Sequence, residues 1–197
     1  MSKSNIFFNI IVPTKNRLDT LKSTLKTILN QNYEDYLIIV LDNNSTDETG
    51  KFIKSLDNKS IIYEKSNFDL PMNVNWERGL KFCEKGFVTV VGDDDGLCPN
   101  ALYELNIFLN NNETEIISWS PNCYHWLHLD NEKKNDVEIY FSSNTKNKFS
   151  KFDSDKILKR IIDMSLSYQA SPMIYNSFVD INLIKKIKFK KKNNVFF

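Results

Sequence analysis

Residues 6–12 (IFFNIIV) form an apolar run broken only by Asn9. A run without alternation predicts a strand covered on both faces, as in a parallel sheet, and Pro13 ends it. Over residues 18–29, Leu18, Leu21, Leu25, Ile28 and Leu29 recur at helical spacing with Asp19 in the first turn, which predicts an amphipathic helix. Residues 36–41 (YLIIVL) read as a second buried strand stopping at Asp42, with Ser45 or Thr46 placed to cap a helix through Leu56. A third strand is expected at 61–64, a helix at 71–84 with Val74, Leu80 and Phe82 facing inward, and a fourth strand at 87–91 (FVTVV). A helix at 99–109 and a fifth strand at 115–119 follow. After Ser120 the pattern weakens to a strand at 137–141 and a helix at 154–164.

This alternation predicts an α/β fold with parallel strands joined by right-handed crossovers, and it places ligands at the carboxyl ends of the strands. With 197 residues, 41% of them hydrophobic, the chain is expected to form one domain. Its net charge of +1 gives no global field for nucleic acid. No long apolar run or leader pattern stands in the sequence, so a cytoplasmic protein is expected. Cys83, Cys98 and Cys123 share no CxxC spacing, which argues against a disulfide framework. Cys123, His125 and His128 supply only three ligands, too few for structural zinc. Trp119, Tyr124 and Trp126 read first as core aromatics and second as a wall on which a sugar could stack.

Three strand-end loops carry the polar chemistry: Pro13-Thr14-Lys15-Asn16-Arg17, Asp42-Asn43-Asn44-Ser45 and Gly92-Asp93-Asp94-Asp95. Three adjacent carboxylates repel one another unless a cation sits among them, and oxygen-only ligands from a short loop suit Mg²⁺ or Mn²⁺ completed by substrate phosphates. A solvated turn before Pro99 is the plainer alternative, which the position after a buried strand disfavours. Asp42 can cap a helix or accept from a nucleoside, and Thr14 and Asn16 offer short polar contacts beside it. Neither GxGxxG nor GxxxxGK[ST] is present, which disfavours a Rossmann dinucleotide site and a P-loop. The absence of a glycine-rich loop after the first strand also argues against a nucleotidyltransferase.

Four motifs in order resemble the inverting glycosyltransferases of family 2, which have the GT-A fold. They are Val12-Pro13-Thr14-Lys15-Asn16-Arg17; Asp42-Asn43-Asn44-Ser45-Thr46-Asp47-Glu48-Thr49; the N-x-x-x-G helix from Asn75 to Cys83; and Gly92-Asp93-Asp94-Asp95-Gly96-Leu97-Cys98-Pro99. The resemblance covers residues 5 to 112. It implies a Rossmann-like α/β/α sandwich with a mostly parallel central sheet, as a single catalytic domain over 1–197. Residues 1–112 would bind the nucleotide sugar and 113–197 would form an acceptor-side half, incomplete at its C-terminus.

By the same resemblance, Pro13, Thr14, Asn16, Arg17, Asp42, Asn44, Asn75 and Asp93 would bind the nucleotide sugar, and Asp94 and Asp95 would hold Mn²⁺ or Mg²⁺; Arg78, on the third helix near the site, is placed to pair with phosphate, a plain surface arginine being the commoner alternative. Gly92 stands where the commonest family pattern has its first Asp. The implied reaction moves a sugar from a nucleoside diphosphate sugar, with uridine the favoured base, to a hydroxyl of a glycan or lipid-linked acceptor in bacterial surface-polysaccharide synthesis. The general base is expected beyond Phe197, with Asp163 and Asp180 as weak alternatives within the chain. The competing reading is a truncated module that binds donor and metal without turnover. All 25 acidic residues lie at or before Asp180, while residues 181–197 carry lysine as their only charged type. Such a tail could touch anionic lipid at the inner face of a membrane.

Overall fold

The computed structural model describes residues 5–118, 123–126, 137–140 and 177–190. Its strands are β1 (Phe8–Thr14), β2 (Tyr36–Asp42), β3 (Ile61–Lys65), β4 (Phe87–Val90), β5 (Ile116–Ser118), β6 (Cys123–Trp126), β7 (Val137–Tyr140) and β8 (Ser177–Asp180). The helices are α1 (Leu18–Leu29), α2 (Thr49–Ser55), α3 (Met72–Glu77), continued as a 3₁₀ turn over Arg78–Phe82, α4 (Ala101–Asn111) and α5 (Ile181–Lys190). Six strands form one sheet in the order β3-β2-β1-β4-β8-β5, and β6 and β7 pair separately as antiparallel partners. The four expected strands β1 to β4 are parallel neighbours as the apolar runs imply.

The expected succession breaks at the fifth strand. β5 does not pair with β4; β8 lies between them, antiparallel to both. Sheet pairing across so many residues leaves no local pattern, and the four residues Ser177–Asp180 are too short to show a period.

Alternation along the buried strands sends side chains to two cores, which makes this an α/β/α sandwich. Phe8, Ile10, Val12, Ile38 and Val40 pack with Leu21, Leu25 and Ile28 of α1, Ile53 of α2 and Leu102 and Leu109 of α4. On the other face Ile11, Ile39, Leu41, Val88 and Val90 meet Leu80, Cys83 and Leu183 and Ile184 of α5. Asn9, the one polar residue in the first run, is 1% exposed and donates from Nδ2 to the carbonyls of Lys85 and Phe87 at 2.8 and 3.1 Å. At the adjoining Gly86, φ is +75° and a Cβ would stand 2.0 Å from the Phe7 carbonyl oxygen, so only glycine fits where β1 and β4 enter the sheet.

Two further expectations are corrected. Residues 71–84 are not one helix, and Val74 is 43% exposed rather than inward. A Cβ on Gly79 would lie 3.0 Å from Ile11 and Leu41, so the backbone itself rests on the sheet there as the tighter turn begins. Neither Ser45 nor Thr46 caps α2, which starts at Thr49, and Asp47 Oδ1 accepts from the Thr49 amide instead. The expected helix at 154–164 lies outside the described residues. Among the described residues no helix is long and apolar enough to cross a membrane.

Candidate functional site

All three polar loops emerge at the carboxyl edge of β1, β2 and β4, where hydrogen bonds tie them into one surface. Thr14, the last residue of β1, is 4% exposed and donates from Oγ1 to Asp93 Oδ2 at 2.8 Å. Its carbonyl accepts from the Asn43 amide. Asn16 takes φ +52° and turns its side chain toward the second loop, where Oδ1 accepts from the Thr46 amide at 2.7 Å while its own amide donates to Ser45 Oγ. Asparagine tolerates the left-handed region better than most residues, which fits it to this turn.

Arg17 reaches the acidic loop with both arms of its guanidinium: Nη1 lies 2.9 Å from Asp93 Oδ1 and Nη2 2.6 Å from Asp94 Oδ2. The hydrogen bond to Asp94 leads the effects that raise the Arg17 pKa above its ordinary value. Asp93 is nearly sealed, and burial pushes its pKa up against the pull of Thr14 and Arg17. Asp95 folds back, accepting from the Gly92 amide at Oδ2, and its carbonyl accepts from Thr24 Oγ1 of α1. A Cβ on Gly92 would come 2.7 Å from Asp95 Oδ2 and 3.0 Å from Asp94 Oδ1. Glycine at this position thus leaves the room that the two carboxylates fill.

Asp42 is 0% exposed and both its oxygens are engaged: Oδ1 accepts from the Ser45 amide at 2.7 Å and Oδ2 from the Tyr63 hydroxyl at 2.5 Å. Burial, then the bond to Asp42, raise the Tyr63 pKa well beyond the usual phenol range. The helix-cap alternative for Asp42 does not hold, since it bonds the turn at Ser45 and not the first turn of α2. Asn75 and Arg78 lie beneath this edge. Arg78 Nη2 donates to the carbonyls of Asp42 and Glu64, each at 2.9 Å, and Nε to Asn75 Oδ1, so its guanidinium fastens the ends of β2 and β3. Asn75 is 3% exposed and approaches the Leu41 carbonyl.

A fourth loop, after β3, joins the site and was not among those the sequence singled out. Asn43 brackets Leu70, donating to its carbonyl and accepting from its amide at 2.9 and 2.8 Å. Asp69 takes Lys15 Nζ at 2.6 Å and Asn44 Nδ2 at 3.2 Å, and Asn44 sits at φ +65°. Polar Asp69 following a strand was the available signal. Asp180 is not brought to this edge: it pairs with Phe87 at the amino end of β4 and its carboxylate accepts from the Asn182 amide. Asp163 lies outside the described residues.

The donor set fits a hard divalent ion. Asp94 and Asp95 present partly exposed carboxylates, whereas Asp93 is saturated by Thr14 and Arg17. Among the described residues no three His, Cys, Asp or Glu side chains are grouped to enclose a metal. An ion here would therefore take one or two protein oxygens and complete its shell with diphosphate oxygens and water, as Mg²⁺ and Mn²⁺ do.

Comparison with known proteins shows the family and the fold. The model of "Glycosyl transferase family 2" matches residues 9–162. A GalNAc(5)-diNAcBac-PP-undecaprenol β-1,3-glucosyltransferase of Campylobacter jejuni is 37% identical over 100 residues, which is 49% of this chain and 32% of that protein. The chain thus spans about a third of the length of that curated relative. Among solved structures, S. aureus TarS 1–349 superposes with a TM-score of 0.66 over 93% of this chain and 49% of its own at 17% identity. Its complex with UDP-GlcNAc gives 0.55 over 57% and 34% at 22% identity. The mannosyltransferase PcManGT of Pyrobaculum calidifontis, in complex with GDP-Man and Mn²⁺, gives 0.51 over 58% and 35% at 16% identity. At these identities the structural likeness shows the fold, a GT-A-like α/β sandwich.

Proposed function

Since this chain belongs to glycosyl transferase family 2, we propose that it carries the donor half of an inverting transferase that moves a sugar from a uridine diphosphate sugar to a hydroxyl of a lipid-linked or other glycan acceptor, in the assembly of a bacterial surface polysaccharide. Residues 1–112 form the donor half in this reading and residues 113–197 belong to the acceptor side. One observation carries it: Thr14, Arg17, Asp93 and Asp94, drawn from two separate strand ends, are hydrogen-bonded into a single acidic edge beside the sealed Asp42. The glucosyltransferase relative, named for a diphosphoundecaprenol-linked acceptor, and the UDP-GlcNAc complex of TarS support the choice of acceptor and donor.

Pro13, Thr14 and Asn44 border the nucleoside in this arrangement, and the turn that Asp42 organises through Ser45 sets the base edge. Asn16 and Arg78 hold the loops from behind. Asp94, with Asp95, would hold Mn²⁺ or Mg²⁺, whose positive charge offsets the charge that develops on the leaving diphosphate. Asp93 stays with Thr14 and Arg17 and fixes the turn. Inversion requires a base on the acceptor hydroxyl; Asp180, at the opposite end of the sheet, does not serve.

Calorimetric binding of UDP, GDP and TDP, each with and without Mn²⁺, together with sugar release from UDP-glucose and UDP-GlcNAc, tests this. Mn²⁺-dependent binding of UDP above the other two, lost in Asp94→Ala, is expected. Tight UDP binding with no sugar release would leave a donor-binding module, and absence of nucleotide binding would end the reading.

A further inference from the structure

The acidic turn already holds a cation of the protein's own. Arg17 spans Asp93 and Asp94 with its two Nη atoms, and the two contacts differ in kind. The Asp93 side chain is 6% exposed and is also fixed by Thr14, whereas Asp94 is 45% exposed and Arg17 itself 49%. An ion pair with Asp94 is therefore easily opened, while the one with Asp93 is sheltered. The backbone behind the guanidinium is anchored, because the Arg17 carbonyl accepts from the Leu21 amide and from Thr20 Oγ1 at the start of α1. What can move is the side chain, pivoting about Asp93.

Resting on the donor and metal reading above, we propose that Arg17 is a stand-in counter-ion: it pairs with Asp94 when no ion is bound, yields that carboxylate to the divalent ion, and passes its freed arm to the donor's diphosphate. The chemistry follows from charge and shape. Three consecutive carboxylates repel one another, and among the described residues Arg17 supplies a positive partner to two of them. A divalent ion on Asp94 repels a guanidinium held by the same carboxylate, which weakens the Arg17 arm there. The guanidinium fork suits phosphate oxygens as well as carboxylate oxygens, so the displaced arm finds an equivalent partner when the diphosphate arrives. Arg17 thus opposes the metal alone and favours the metal with diphosphate, coupling the two binding events. It acts as a positioning and binding residue, not as an acid or base.

Mn²⁺ titration of the nucleotide-free chain, followed by the electron paramagnetic resonance of free Mn²⁺, separates these effects. In Arg17→Ala the ion should bind about two- to fivefold tighter than in wild type, the range expected from removing a partly exposed ion pair. Affinity for UDP in saturating Mn²⁺ should fall by a similar factor, and Asp94→Ala should lose the ion. Arg17→Lys, which keeps the charge but not the fork, should be intermediate in both measurements and covers the case in which the alanine variant does not fold. Mn²⁺ affinity equal to or below wild type in both Arg17 variants, or UDP affinity unchanged in them, overturns the proposal while leaving the metal at Asp94. Undiminished Mn²⁺ binding in Asp94→Ala removes the metal reading itself, and Arg17's part with it.

Discussion

Thr14 Oγ1 donates to Asp93 Oδ2 at 2.8 Å, joining the last residue of β1 to the loop that leaves β4. Both side chains are nearly sealed from water, so this bond joins two loops and also satisfies a buried carboxylate. Thr14→Val keeps the volume and removes the donor. It should cost about 1–3 kcal/mol in urea unfolding, the usual penalty for leaving a buried acceptor short of a partner. Nucleotide affinity should fall with it, because Asp93 no longer holds Arg17 in register. A variant with wild-type stability would mean that water replaces the hydroxyl there.

Tyr63, partly buried, pairs with the sealed Asp42. Its ring packs at the edge of the α1-side core and its hydroxyl closes on Asp42, while a Cβ on Gly50 would stand 2.9 Å from that hydroxyl. Tyr63→Phe should therefore lower stability by about 1–3 kcal/mol. Gly50→Ala, which pushes the phenol off Asp42, should move UDP binding in the same direction as Tyr63→Phe. Opposite shifts in the two variants, read by calorimetry, would separate Tyr63 from the Asp42 turn.

Much of this edge was legible in the chain. Buried runs over β1, β2 and β4 end at Pro13, Asp42 and Gly92, so the loops that follow had to lie on one side of a parallel sheet. The roles of individual polar residues were not legible to the same degree. Asn16 reads as a ligand contact from its motif and Arg78 from its place on the third helix; in the structure Asn16 Oδ1 accepts from the Thr46 amide and Arg78 donates to the carbonyls of Asp42 and Glu64. Nothing in the sequence marks the role of Tyr63, because its partner Asp42, on the neighbouring β2, is 21 residues away. β8 was invisible because its position is set by pairing with β4 and β5 rather than by any period of its own.

Asp47 makes the acid limb of stability testable. Burial would raise its pKa, but hydrogen bonds from the amides of Thr49 and Leu18 outweigh this and hold it below the ordinary 3.8. A carboxyl depressed in the folded state contributes stability above its unfolded pKa and loses it as pH falls through the folded value. Asp47→Asn keeps the size and one acceptor but not the charge. The melting-temperature advantage of wild type over this variant should be constant from about pH 5 to 7 and shrink below about pH 4. An advantage that grows on acidification would contradict the assignment.

Cys83 and Cys98 should differ sharply toward alkylation. The Cys83 thiol is 3% exposed and donates to the Gly79 carbonyl, and burial pushes its pKa up to about 12, against a smaller opposing effect of Lys185. Cys98 is exposed. Since only the thiolate reacts, iodoacetamide at about pH 8 should modify Cys98 in the folded chain and reach Cys83 only in denaturant, as read by peptide mass mapping. Labelling of Cys83 in the native chain would place the 3₁₀ turn over Arg78–Phe82 in an open state.

Arg78 decides whether the third helix serves the ligand directly or through the sheet. Its Nη2 bridges two strand carbonyls and its Nε holds Asn75, and burial is the main effect lowering its pKa. Arg78→Ala should thus remove one donor from each of the Asp42 and Glu64 carbonyls, the former keeping the Ser66 amide, and cost about 1–3 kcal/mol, more than a surface arginine would. Arg78→Lys reaches with one charged point instead of a fork and should recover only part of that loss. If Arg78 instead met the diphosphate, both variants would keep wild-type stability and lose nucleotide affinity in proportion to its charge, with the lysine variant nearly normal. Parallel urea unfolding and UDP titration of the two variants separate these patterns, because an arginine that fastens β2 to β3 lowers stability first and ligand affinity only as the Asp42 turn loosens.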